Sequence, residues 1–258
     1  MYDSGGNLVA SDDNSSSDGR NARLSYHVPG GAGGIYYVAV ASSSATAELT
    51  AGEYILSINI NEVPTITVPA AQTAYEDVDQ AISGLSVGDP DGDNLSVTLQ
   101  VGHGSLSLGS TAGLIISGNG SGSVTLAGSL ADLNAALAGL VYRGGLNYSG
   151  GDTLAITASD GSLTSSNSVA LTVQSADQQA AALQAQVNAL LRSGVMNQGH
   201  ANSLNVKLDL KDNAGDIGKV QSFLNQVAAY LNAGILTQAQ ADALTAAGKI
   251  LRTSLTRR

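Results

Sequence analysis

Residues 89–101, "DPDGDNLSVTLQV", join an acidic turn to a strand-like run, and their reading sets the architecture of the middle of the chain. Leu95, Val97, Leu99 and Val101 recur at every second position, which puts them on one face of a β-strand. Asp89, Asp91 and Asp93 stand just before it, and no Lys or Arg lies within ten residues on either side. Two unit charges about 4 Å apart repel by roughly 1 kcal/mol in water and about 4 kcal/mol at a protein surface. The cluster therefore calls for a neutralising partner, and a bound cation is the candidate.

Strand signals continue outward from this stretch in "TITVP" (65–69), "SLSL" (105–108), "GLIIS" (113–117), "GSVTLAG" (122–128), "DTLAITAS" (152–159) and "NSVALTV" (167–173). Their spacing predicts one complete antiparallel β-sandwich over residues 61–174, opened by the linker "ININEVP" (58–64). One segment breaks the pattern. In "SLADLNAALAGLVY" (129–142), Ser129 and Asp132 form a capping box, and Leu130, Leu133, Leu137 and Leu140 share a helical face. A short helix is expected between strands.

Composition agrees with a globular chain of two or three domains: 258 residues, 43% hydrophobic, with 31 Gly, no Cys, no Trp and a net charge of -10. The absence of Cys excludes disulfide scaffolds and thiol catalysis. Charge divides the chain. Residues 1–173 carry sixteen acidic side chains against three basic ones, Arg20, Arg23 and Arg143, whereas residues 174–258 carry five acidic and eight basic. The texture shifts at the same place, from Gly/Ser/Thr to Ala/Leu/Gln. The fold class expected is multidomain and mainly β, antiparallel β-sandwiches followed by an all-α C-terminal domain of helical hairpins.

Residues 1–60 alternate strand-like runs, "NLVAS", "ARLSYHV", "IYYVAVA" and "GEYILSI", with turn clusters. They read as part of a small β-sandwich. Asp12, Asp13 and Asp18 share one loop, which reads either as a solvated turn or as a second, weaker calcium site. From Ala176 the period is helical. "QVNALLRSGVMNQGHANSL" (186–204) aligns with "QVAAYLNAGILTQAQADAL" (226–244) at an offset of 40, so two helical hairpins are expected. Gly194 and Gly234 are placed to end helices in the left-handed conformation, and Asn197 and Thr237 to cap the next ones. "SLNVKLDLKD" (203–212) alternates like a strand, but the internal repeat favours helix.

Three resemblances follow from these segments. "YDSGGNLVASDDNSSSDGRNARLSYHVPGGAGGIYYVAV" (2–40) resembles the bacterial pre-peptidase C-terminal (PPC) domain, with its opening strands missing. "AYEDVDQAISGLSVGDPDGDNLSVTLQVGHGSLSL" (74–108) and "GSLADLNAALAGLVYRGGLNYSGGDTLAITASDG" (128–161) resemble the cadherin-like repeats of bacterial adhesins. "LRSGVMNQGHANSLNVKLD" (191–209) with "GKVQSFLNQVAAYLNAGILTQAQADAL" (218–244) resembles the FIMAH domain of bacterial extracellular proteins. The domains implied are 1–60, 61–174 and 175–258.

Calcium takes six to eight oxygen ligands, more than one D-x-D-x-D run supplies. The cadherin-like resemblance adds an acidic pair, Glu76 and Asp77, and the Asp-Gly of the last hairpin, Asp160, to Asp89, Asp91 and Asp93. Asp152 reads as a turn-capping residue. An EF-hand is excluded, because positions six and twelve counted from Asp89 are Asn94 and Gln100.

No catalytic constellation emerges. "GLSVG" (84–88) matches the G-x-S-x-G elbow by letters alone, since it lies in a continuous β run with no helix after it. His27, His103 and His200 are scattered without metal-ligand spacing. The chain is therefore read as a non-enzymatic, calcium-stabilised module of the bacterial surface or exterior, adhesive or spacer in role. The alternatives are an accessory region of a secreted peptidase or other hydrolase, or a carbohydrate-binding module. Its expected partners are other domains of a longer chain and a cell-surface or matrix ligand. Nucleic acid is not expected, because the basic residues do not cluster. Membrane insertion is not expected either, since no apolar run reaches 18 residues. "MYDSGGNLVASDD" lacks the features of a signal peptide, so any secretion signal is expected outside this sequence.

Overall fold

The computed structural model describes residues 1–12, 24, 26, 35–39, 61–211 and 215–256. The chain divides into two units, Met1–Asn59 and Ile60–Arg258. In the first, Tyr2 forms isolated antiparallel bridges with Leu8 and Tyr37. Asp3 closes the turn between Tyr2 and Leu8, its Oδ1 accepting from the N–H groups of Gly5 (2.9 Å) and Asn7 (2.8 Å). Of the strands expected at 7–11 and 35–41, the described residues form single bridges at Leu8 and Tyr37. Those expected at 22–28 and 52–58 fall wholly or largely outside the described residues.

The second unit begins with strands. In chain order they are β1 (Thr65–Thr67), β2 (Gln72–Tyr75), β3 (Gln80–Ala81), β4 (Ser86–Gly88), β5 (Leu95–Gln100), β6 (Gly104–Ser107), β7 (Ile115–Ser117) and β8 (Ser123–Gly128). Helix α1 (Leu130–Ala138) follows, and then β9 (Val141–Gly144), β10 (Gly150–Ser159) and β11 (Thr164–Gln174). The main sheet has the order β2-β11-β10-β5-β8-β7, a second sheet runs β3-β9-β6, and β1 pairs with β4. Every strand expected between residues 65 and 173 is present. Alternation explains their burial: Leu95, Val97 and Leu99 of β5 point inward while Ser96 and Gln100 are exposed. Leu106 of β6 and Tyr142 of β9 are fully buried in the same apolar core, so the two sheets share it.

Two expectations need correcting here. The pairing is not wholly antiparallel, because β2 runs parallel to β11. A parallel neighbour needs a long crossover, and the eight strands and one helix between β2 and β11 supply it. The helix expected across 129–142 is also shorter. Ser129 caps α1, its hydroxyl accepting from the Asp132 N–H at 3.3 Å, and the helix ends at Gly139. The residues that follow form β9, with Tyr142 inside the core.

After β11 come α2 (Ala176–Arg192), α3 (Gln198–Asn205), α4 (Gly215–Asn232) and α5 (Gln238–Leu255). Gly194 and Gly234 take φ values of 75° and 68°, the left-handed region a helix C-terminus needs. Asn197 accepts from the His200 N–H and Thr237 from the Gln240 N–H, as capping residues do. Of the helix expected at 203–212, the part up to Leu208 is helical: α3 tightens into a 3-10 turn at Val206–Leu208, with Leu204 and Leu208 buried and Val206 70% exposed. Residues 209–211 leave the helix, and 212 lies outside the described residues. These helices enclose a second apolar core, separate from that of the sheets, around Leu183, Val187, Phe223, Val227, Leu244 and Leu251.

Candidate metal site

The structure brings four of the six expected ligands to one end of the sheets. Asp89 opens the turn between β4 and β5. Its Oδ1 accepts from the N–H groups of Asp91 (2.9 Å) and Asp93 (3.3 Å), and its carbonyl from Gly92 (3.1 Å). Gly92 holds φ at 79°, which makes this tight turn accessible. Asp160 lies in the β10–β11 hairpin, and the pairing of Ser159 with Ser96 sets that hairpin beside the start of β5. Asn94 and Asp160 accordingly line one open pocket of about 350 Å³. Asp160 Oδ1 accepts from the N–H groups of Ser162 (2.6 Å) and Leu163 (2.7 Å), and these donors hold its carboxyl below the usual range.

Two residues outside the sequence expectation join this end. Asn61 Nδ2 donates to Asp160 Oδ2 at 2.9 Å, and the Glu62 N–H donates to Asp91 Oδ2 at 2.6 Å. The segment leading into β1 is therefore tied to the same carboxylates. Nothing in the period of the linker pointed to this; only the acidic and amide side chains before Pro64 could have hinted at it.

Glu76 and Asp77 lie elsewhere. Tyr75 pairs with Gln174 at the far end of β11, eleven residues and about 33 Å along the strand from the Asp160 hairpin. Both are buried, at 3% and 1% exposure. Glu76 Oε2 accepts from the Ala176 N–H at 2.9 Å, at the start of α2. Asp77, at φ 58°, accepts from the Asn147 N–H at 3.4 Å, and its carbonyl accepts from Arg143, whose other nitrogen pairs with Asp79 at 3.0 Å. The expected single site of six carboxylates is thus divided between two ends of the sheet. Sequence proximity of the pair 76–77 to the run 89–93 conceals the intervening strands, which carry the chain from one end to the other.

A buried carboxylate oxygen without a hydrogen-bond partner among the described residues occurs at both ends, Asp77 Oδ2 at the far one and Asp89 Oδ2 at the acidic turn. A buried carboxylate oxygen left unpaired is costly, and a cation is one group that relieves it. Asp91 and Asp93 are exposed beside Asp89. Among the described residues, no three His, Cys, Asp or Glu side chains converge as a ready-made ion cage. In the first unit, Asp12 is half-buried, while Asp13 and Asp18 lie outside the described residues.

Asp152 takes the turn-binding role read from the sequence, but across the fold. Its carboxylate, 3% exposed, accepts from the N–H groups of Gly102 (2.9 Å), His103 (3.0 Å) and Thr153 (2.8 Å) and from the Tyr142 hydroxyl (2.9 Å). Burial raises its pKa, and these donors together outweigh burial and hold the carboxyl below its ordinary range. Burial, with the Asp152 charge behind it, pushes the Tyr142 hydroxyl far above its own. The His103 ring stacks on Tyr148 at 4.4 Å beside them. Ser86 of "GLSVG" sits on β4, and the chain leaves that strand into the Asp89 turn.

No family profile matches this chain. No curated protein matches it. Among solved structures, similarity is found to an endo-fucoidan hydrolase of glycoside hydrolase family 107, with 19% identity, 44% of this chain, 14% of that chain and a TM-score of 0.25. The M4 domain of titin matches at 15% identity over 45% of this chain and all of that one, with a TM-score of 0.22. The titin domains Z1Z2 in complex with telethonin match at 17% identity over 45% of this chain and 50% of theirs, again with a TM-score of 0.22.

Proposed function

We propose that residues 61–174 form a cadherin-like β-sandwich stabilised by calcium, within a non-catalytic extracellular module of adhesive or spacer role. The PPC-like residues 1–60 and the FIMAH-like residues 175–258 flank it in this reading. The observation that supports it is the buried, unpartnered Asp89 Oδ2 in a turn that also carries Asp91 and Asp93, at the same end of the sheets as Asp160. An ion there would take carboxylate oxygens from Asp89, Asp91, Asp93 and Asp160 and fill its remaining positions with backbone oxygens and water, as calcium's flexible shell allows. Asp93 is exposed, and Asp91 would offer Oδ1 while its Oδ2 keeps the bond from the Glu62 N–H.

Chemically, such an ion supplies cohesion. It would neutralise the acidic turn, fasten the β4–β5 turn to the β10–β11 hairpin, and stiffen the incoming segment through Asn61 and Glu62. Extracellular modules of this kind bind calcium at about 0.1–1 mM. Calorimetric titration of calcium into the full chain tests the reading. One site in that range is expected, weakened at least about tenfold by Asp89→Asn. No heat of binding up to about 10 mM calcium would contradict it.

A further inference from the structure

We infer that Glu76 is a strap holding the helices to the sheets, so that the two apolar cores open together. Ala176 is the first residue of α2 and is fully buried. Its N–H is among those at a helix start that lack an intrahelical acceptor. Ser175 and Gln178 satisfy one another in a capping box and leave the Ala176 N–H over. Glu76 Oε2 takes it at 2.9 Å, from a position one hundred residues earlier at the end of β2. A carboxylate at that place also complements the positive end of the helix.

A second set of buried bonds converges on the same joint. The Gln174 carbonyl accepts from the Glu76 N–H at 2.9 Å and from Gln179 Nε2 at 3.2 Å. Gln179 Nε2 also donates to Ser254 Oγ at 2.9 Å, in the last turn of α5. Gln179 and Ser254 are both buried. One polar cluster thus ties β2 and β11 to α2 and α5. Separate apolar cores ordinarily open as separate units. Here, separation would unmake the Ala176–Glu76 and Gln179–Gln174 bonds together, and buried bonds of this kind are costly to lose. Glu76 is thereby assigned to the joint, away from the ion at the opposite end.

Hydrogen exchange of the full chain, read by mass spectrometry, tests this. In the native protein, the slowest amides of β10 and of α5 should show protection within about tenfold of one another, reporting one shared opening. Glu76→Ala should lower protection across α2 and α5 by about tenfold or more while β10 keeps its own, since a lost buried bond corresponds to roughly five- to hundredfold. Glu76→Gln, which keeps an acceptor for Ala176, should stay close to native. Should Glu76→Ala fail to fold, Ser254→Ala gives the same directional test through Gln179. Strands and helices that already exchange independently in the native protein would overturn the inference, as would protection in the helices untouched by both Glu76→Ala and Ser254→Ala.

Discussion

Asp152 shows what a carboxylate demands when it is taken out of water: four donors from three segments meet it, and the turn at Gly102–His103 exists in its present form around it. Asp152→Asn replaces one acceptor oxygen by an amide that faces N–H donors. The expected cost is about 2–3 kcal/mol, read from urea denaturation at neutral pH. The pH dependence has a definite sign. Because the folded carboxyl releases its proton at lower pH than the unfolded one, its stabilisation is full above about pH 4 and is lost as pH falls through the folded pKa. Asp152→Asn should therefore flatten the acid limb of the stability curve, and an acid limb unchanged by the substitution would contradict this role. Its turn-binding role was legible from "NYSGGDT", since Asp beside Gly is a turn former. Its partners were not, because Gly102 and His103 lie fifty residues away and no local pattern joins them.

Among the elements, α1 and β4 depend on one another through a single side chain. Asn134 Oδ1 accepts from the Val87 N–H at 2.9 Å and its Nδ2 donates to the Val87 carbonyl at 2.8 Å, so an amide stands in for a neighbouring strand. Asn134→Ala strands both backbone groups of a buried residue. A loss of about 2–4 kcal/mol is expected from chemical denaturation, against under about 1 kcal/mol for an exposed alanine substitution elsewhere; equal costs would remove Asn134 from this role. The long strands were readable because alternation persists over β5, β8, β10 and β11. The shorter β2, β3 and β9 hold two to four residues each, too few for a period, and tertiary pairing makes them strands. Val141 and Tyr142 continued the apolar spacing of α1, and Gly139 ended the helix before them. In the helical part the 40-residue repeat outweighed the local alternation of 203–212, because burying Leu204 and Leu208 requires a four-residue step.

For the second unit as a whole, the arrangement is two apolar cores with one polar joint and an acidic end remote from it. The acidic turn was legible as a cluster, and the resemblance pointed to Asp160, which lies in the hairpin beside the start of β5. The separation of Glu76 and Asp77 was not legible, since it depends on β2 lying parallel to β11. Among the described residues, no helix is long and apolar enough to cross a membrane. For an ion that fastens the acidic end, mass action fixes the size of the effect. At 100 times its dissociation constant a ligand adds about 2.7 kcal/mol, enough to raise the unfolding midpoint by several degrees. The direct measurement is a thermal melt of the full chain in EDTA and in 10 mM calcium, beside a variant carrying Asp91→Asn and Asp93→Asn, all at one ionic strength. A calcium-dependent rise of several degrees, lost in the variant, is expected. Equal midpoints with and without calcium in the native chain would contradict it and leave "DPDGDN" as a hydrogen-bonded turn.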